Sequence, residues 1–212
     1  MADSKTEKMQ KSVQQRLIDA AFELFLEEDY NTVTTRKLAL KANTSASMIS
    51  YYFGSKQALF IAMLEREEAK RLQSLRGVLD AEDPLKAFIY EAINRFAEDV
   101  AISRFITDDV LHIDGPLRDK FIDIAPKKIA LFLPELIKTL QKKNMIRQDL
   151  DPKKGAFSLM NLIVMPFVGA FVREHAWEIS HDEVSGEDWA EHIYQLFLTG
   201  CQNTKTHTSE AF

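Results

Sequence analysis

The chain has little of what cross-links, tight turns or membrane spans require. Cysteine occurs once in 212 residues, at Cys201, so no internal disulfide can form and a reduced thiol in the cytoplasm is the expectation. Seven glycines and six prolines leave few places for turns, which favours an all-α chain over an all-β one. The longest apolar run, 162–172, is eleven residues and contains Pro166 and Gly169. A bilayer span needs about 20, so no membrane partner is expected. Residues 1–12 are polar and charged, unlike a secretory signal. Enzyme signatures are missing as well: there is no phosphate-binding glycine loop, nucleophile elbow, HExxH or zinc-ligand cysteine pair. The reading is a non-enzymatic helical protein with no cofactor.

A further absence is local. Residues 30–60 hold Arg36, Lys37, Lys41 and Lys56 and no Asp or Glu, in a chain of formal charge -5. Removing those four leaves 23 basic against 32 acidic residues, or -9, elsewhere. Such a basic island in an acidic chain points to a polyanionic partner.

The same stretch has the pattern of two short helices around a corner. Thr34 is placed to cap Thr35-Arg36-Lys37-Leu38-Ala39-Leu40, with Leu38 and Ala39 inward and Arg36 and Lys37 outward. Ala42-Asn43-Thr44 makes the turn, because asparagine tolerates a left-handed backbone. Ser45 is placed to cap a helix over 46–53 that buries Ile49 and Phe53. Ala46, Ser47, Met48, Ser50 and Tyr52 then face outward. Short side chains let a helix approach base edges in a major groove, and tyrosine hydroxyls reach phosphates. In the consecutive rings Tyr51, Tyr52 and Phe53, at least one must leave the core, since neighbours on a helix differ by about 100°.

At these residues the chain resembles the TetR family of bacterial transcriptional regulators. The run Thr34 to Ala39, then Ala42 and Ser45, the aromatic pair ending at Phe53, and Ser55-Lys56-Gln57-Ala58-Leu59 follow the family's N-terminal motif in order and spacing. About fifty residues, 15–64, take part. The resemblance implies that Thr34, Thr35 and Arg36, together with Ser45, Ala46, Ser47, Met48, Ser50, Tyr51 and Tyr52, meet double-stranded DNA, and that Lys56 holds a phosphate. Asp29 and Asn43 stand where the family usually has glycine, and Ser50 where it usually has tyrosine. The phosphate contact then moves to Tyr51 or Tyr52.

The remaining pattern is helical throughout. A first helix over 12–28 carries Leu17, Ala20, Ala21, Leu24 and Phe25 on one face, behind a lysine-bearing tail that either reaches phosphates or stays solvated. Later helices are expected over 55–79, 83–100, 102–112, 117–144, 151–173 and 188–202, with a bend or break at Pro126 and Pro134. The expected domains are a DNA-binding unit, 1–56, and an effector-binding and dimerisation unit, 57–212.

The last two long helices are more apolar than one buried stripe needs. Phe157, Met160, Ile163, Val164, Phe167 and Phe171, with Trp189, Ile193, Leu196 and Phe197, are either deep core or a surface that meets a second copy. The resemblance implies a homodimer built through these helices. It also implies an apolar effector pocket, with candidates Phe88, Arg95, Phe96, Asp99, Phe105, Asp109, His112, Phe121, Phe132, Asn161 and Met165, and Arg104 as a further polar group. Single aromatics at such spacing otherwise read as core. Asp109 and His112, three apart on an expected helix, fit either a metal pair or a helix end that favours histidine, so no metal site is assigned.

The function implied is a ligand-responsive regulator: a homodimeric repressor leaving a palindromic operator when a small apolar or amphipathic effector binds. The alternatives are a helical small-molecule carrier without DNA binding, and a DNA-binding relative controlled by a protein partner.

Overall fold

The computed structural model describes residues 12–98, 103 and 117–200. The chain divides into two compact units, 1–67 and 68–212, and no strand occurs among the described residues.

In the first unit, α1 (Val13–Glu27) opens with a capping box in which Ser12 and Gln15 satisfy each other's backbone N–H, and it buries the five residues expected. Helix α2 (Thr35–Lys41) starts at the Thr34 cap and buries Leu38 and Ala39. It ends in a left-handed Asn43 at φ 49, with Asn43 N–H donating to Leu40 O and Thr44 N–H to Ala39 O. These two bonds satisfy carbonyls that the helix end would otherwise leave open. Helix α3 (Ser47–Phe53) starts one residue later than expected and has no side-chain cap, because the Ser45 and Ser47 hydroxyls bond to each other at 2.8 Å. It ends at Gly54, whose φ of 81 favours glycine. Helix α4 (Lys56–Leu79) runs past the division between the units. The boundary lies further along α4 than the expected 56/57, since Leu59, Phe60, Met63 and Leu64 are buried in the first unit's core.

The second unit is a helical bundle. It comprises α5 (Pro84–Glu98), α6 (Arg118–Ile124), α7 (Pro126–Lys142), α8 (Pro152–Val168), α9 (Ala170–Ala176), α10 (His181–Ser185) and α11 (Glu187–Gly200). Its core joins Phe88 and Ile93 of α5, Leu133 and Ile137 of α7, Leu159 and Ile163 of α8, and Ile193 and Phe197 of α11. The helix expected at 102–112 lies outside the described residues.

Three expectations change here. Pro126 opens α7 as its first residue, but Pro134 sits buried inside the same helix without ending it, because packing of α7's apolar stripe offsets the lost hydrogen bond. The helix expected over 151–173 is instead two, α8 and α9, meeting at 72° around Gly169. The buried Arg173 braces that corner: its Nε–H donates to Pro166 O at 2.8 Å and its Nη1–H to Ile179 O at 2.6 Å. Finally, the short α10 is an added helix, opened by a reciprocal Ser180/Glu183 capping box.

Candidate nucleic-acid interface

Helix α3 has one fully buried anchor and exposes most of its other side chains. Ile49 is 1% exposed, whereas Ser45, Ala46, Ser47, Ser50, Tyr51 and Tyr52 are exposed and Met48 is half-buried. Tyr51 is 77% exposed, and its ring meets Tyr52 edge to face at 4.9 Å. Phe53, expected in the core, is only partly buried. Thr34, Thr35 and Arg36 are exposed at the start of α2, and the Thr34 hydroxyl is engaged by Lys37 N–H at 3.2 Å. Small side chains and two tyrosines on a solvated helix, beside an exposed arginine, match what a helix entering a groove needs.

The turn between α2 and α3 is clamped from α1. Arg16 Nε–H donates to Ala42 O at 3.0 Å and its Nη2–H to Asn43 O at 3.4 Å. This residue escaped the sequence reading because its partners lie 26 and 27 positions away.

The basic island is largely committed within the fold. Lys37 Nζ lies 2.6 Å from Glu28 Oε2, and Lys41 Nζ lies 3.1 Å from Glu23 Oε2 and 3.6 Å from Glu27 Oε1. The hydrogen bond to Lys37 holds the Glu28 carboxyl below its ordinary range, and the bond to Glu23 raises the Lys41 ammonium. Lys56 donates to Tyr30 O and Val33 O, both at 2.8 Å, and stands 4.1 Å over the Tyr30 ring. Burial lowers its pKa. Arg36 has no hydrogen bond or ion pair among the described residues. Residues 1–67 together hold nine basic and nine acidic side chains, a net charge of zero. The acid-free window in the sequence is therefore not a positively charged unit, since α1 supplies the balancing carboxylates.

In the second unit the candidate residues separate by burial. Phe88 is buried with its ring 6.0 Å from Phe132, and Phe96 stacks on Phe167 at 5.8 Å. Arg95 and Phe121 are half-buried. Asn161 and Met165 are exposed on the outer stripe of α8, with Asn161 Nδ2–H donating to Phe157 O at 2.7 Å, so neither turns toward the core. Asp99, Arg104, Phe105, Asp109 and His112 lie outside the described residues. Of the expected dimer residues, Ile163, Phe167, Ile193 and Phe197 are buried within the unit and are core. Helical spacing could not tell a second buried stripe from a contact surface. Met160, Val164 and Trp189 are half-buried, while Phe157, Phe171 and Leu196 are exposed at 72%, 74% and 47%. A separate acidic cleft of about 460 Å3, lined by Asp182, Glu183, Gly186, Glu187, Asp188 and Trp189, shares no residue with the expected pocket.

Residues 17–63 match the model of the bacterial regulatory proteins of the tetR family. Over 56 residues, 26% of this chain, it is 38% identical to the HTH-type transcriptional regulator YvkB of Bacillus subtilis, covering 30% of that protein. Over 143 residues, 63% of this chain, it is 28% identical to the HTH-type transcriptional repressor NicS of Pseudomonas putida, covering 66% of it. The matched stretch is thus less than two thirds of either relative's length. The structure of FadR from Bacillus subtilis in complex with stearoyl-CoA shares the fold, with a TM-score of 0.73 at 16% identity, covering 89% of this chain and 99% of that one. The chain thus carries the tetR-family motif over residues 17–63 and shares the all-helical fold of FadR.

Proposed function

We propose that the protein is a DNA-binding transcriptional regulator that works as a homodimer on a palindromic operator and leaves it when an apolar or amphipathic effector enters the C-terminal unit. The observation that carries this reading is α3, pinned by Ile49 and otherwise exposing small polar groups and two tyrosines. In the proposal, Thr34, Thr35, Arg36, Ser45, Ala46, Ser47, Met48, Ser50, Tyr51 and Tyr52 face the duplex. Lys56 acts first as a strut for the loop before α2. NicS is named a repressor, which supports repression. The FadR structure contains stearoyl-CoA, which supports an acyl-chain effector among amphipathic ligands.

Dimerisation is supported by the outer stripe of α8, where Phe157, Asn161 and Met165 recur every four residues with both apolar members exposed. Apolar surface of this kind on a helix marks a contact. One recognition helix makes a small interface, and two half-sites one DNA turn apart make a stable one.

The test is selection of bound duplexes from random sequence, followed by titration of the selected operator at several salt concentrations. A palindromic consensus with salt-sensitive affinity is the expected result. Arg36→Ala should then weaken operator binding by about 1–3 kcal/mol and relax preference at one position. Absence of salt-sensitive affinity for any duplex would overturn the reading.

A further inference from the structure

A head that binds DNA ordinarily presents spare cations, yet here two of the four bases near the turn are held by carboxylates of α1 and of its C-cap residue. Glu28 holds Lys37, and Glu23 and Glu27 together hold Lys41, along one side of α2. Lys56 is turned onto two backbone carbonyls. That leaves Arg36 as the member of the acid-free window with no partner among the described residues. Resting on the DNA-binding reading above, we propose that Glu23, Glu27 and Glu28 are specificity residues, which withhold Lys37 and Lys41 from phosphates and so suppress binding to DNA that α3 does not read.

The physical reason is the difference between the two kinds of complex. Binding to random sequence draws essentially all its free energy from phosphate contacts and released counterions, whereas an operator complex adds base contacts. When α3 is seated in a groove, the geometry of α2 is fixed. Lys41, five residues and about 7.5 Å of helix beyond Arg36, is then carried away from the end that meets the backbone. On random DNA the head is not held to one pose and can tilt to use whatever cations are loose. Free Lys37 and Lys41 would therefore favour random DNA more than the operator. Paired, they add little to either complex, and their carboxylates repel a backbone approached in the wrong pose. The lowered Glu28 and raised Lys41 titrations agree with pairs that persist near neutral pH.

The experiment compares the full-length protein with Glu23→Gln/Glu27→Gln/Glu28→Gln and with Lys37→Gln/Lys41→Gln. Each is titrated on the selected operator and on a random duplex across salt, with circular dichroism to check folding. The glutamine triple should steepen the random-duplex salt slope by about 0.9–1.8 and lower the ratio of operator to random affinity. The lysine double should leave the random-duplex slope unchanged, because those cations are already withheld. That second variant decides the matter if the triple does not fold. A slope flattened by about one or more in the lysine double, or a triple that strengthens both duplexes equally, would overturn the inference while leaving DNA binding intact. A wild-type protein that binds no duplex would overturn both readings.

Discussion

Asn43 and Lys56 show two ways a single side chain fixes the head. Asn43 carries φ 49, a conformation that costs most L-residues about 1–2 kcal/mol and asparagine less. Asn43→Ala should therefore destabilise the first unit by roughly 1 kcal/mol, and Asn43→Gly by less, as read from chemical denaturation. Lys56 serves Tyr30 O and Val33 O, so Lys56→Met should cost about 1–3 kcal/mol by leaving those carbonyls short of a donor. A substitution that costs nothing would show that water replaces the ammonium. The first residue was legible from its neighbours alone, since a helix stop and a left-handed turn are local events. The second was not: its partners are 26 and 23 positions away, and a phosphate and a carbonyl attract the same ammonium. The charge island misled for a similar reason, because Glu23, Glu27 and Glu28 lie outside the window yet fold against it.

At the scale of elements, capping rules served well. The Thr34 cap and the break at Pro126 were visible in the sequence, as was the apolar face of α1. The α8–α9 corner was not, since Pro166 and Pro134 are both interior prolines and only tertiary packing separates them. Arg173 satisfies the carbonyls at that corner, and its guanidinium fork is not reproduced by shorter donors. Arg173→Met should lower stability by roughly 2–3 kcal/mol in thermal or urea unfolding, while an unchanged midpoint would mean the corner holds by packing alone. Between α5 and α11, Tyr194 O–H donates to Asp83 Oδ2 at 2.5 Å, and that bond raises the phenol from its ordinary 10.0 to about 12. A raised folded pKa gives stability that is complete below pH 10 and lost as pH climbs toward 12. Wild-type protein should thus lose more stability across that range than Tyr194→Phe, and parallel curves would rule out the coupling.

For the whole molecule, the all-α class and the two-unit plan were legible from periodicity and motif. Which apolar residues are core and which meet a partner was not, because both give the same helical repeat. Burial picks out the core and changes the mutations worth making. Phe157→Glu and Leu196→Glu, at exposed sites, should give folded monomers by sedimentation, whereas a charge at Phe167 or Phe197, both buried, should unfold the second unit. A folded dimer from Phe157→Glu would move the contact elsewhere. In the proposed mechanism, effector and operator weaken each other by the same factor, which calorimetry in both orders would check. A first unit with no net charge has one more consequence. In the proposed two-copy assembly, each hold on a lone half-site would be brief and grip would come from tethering a second head close by, so occupancy would climb more steeply than in proportion to protein abundance while copies are scarce.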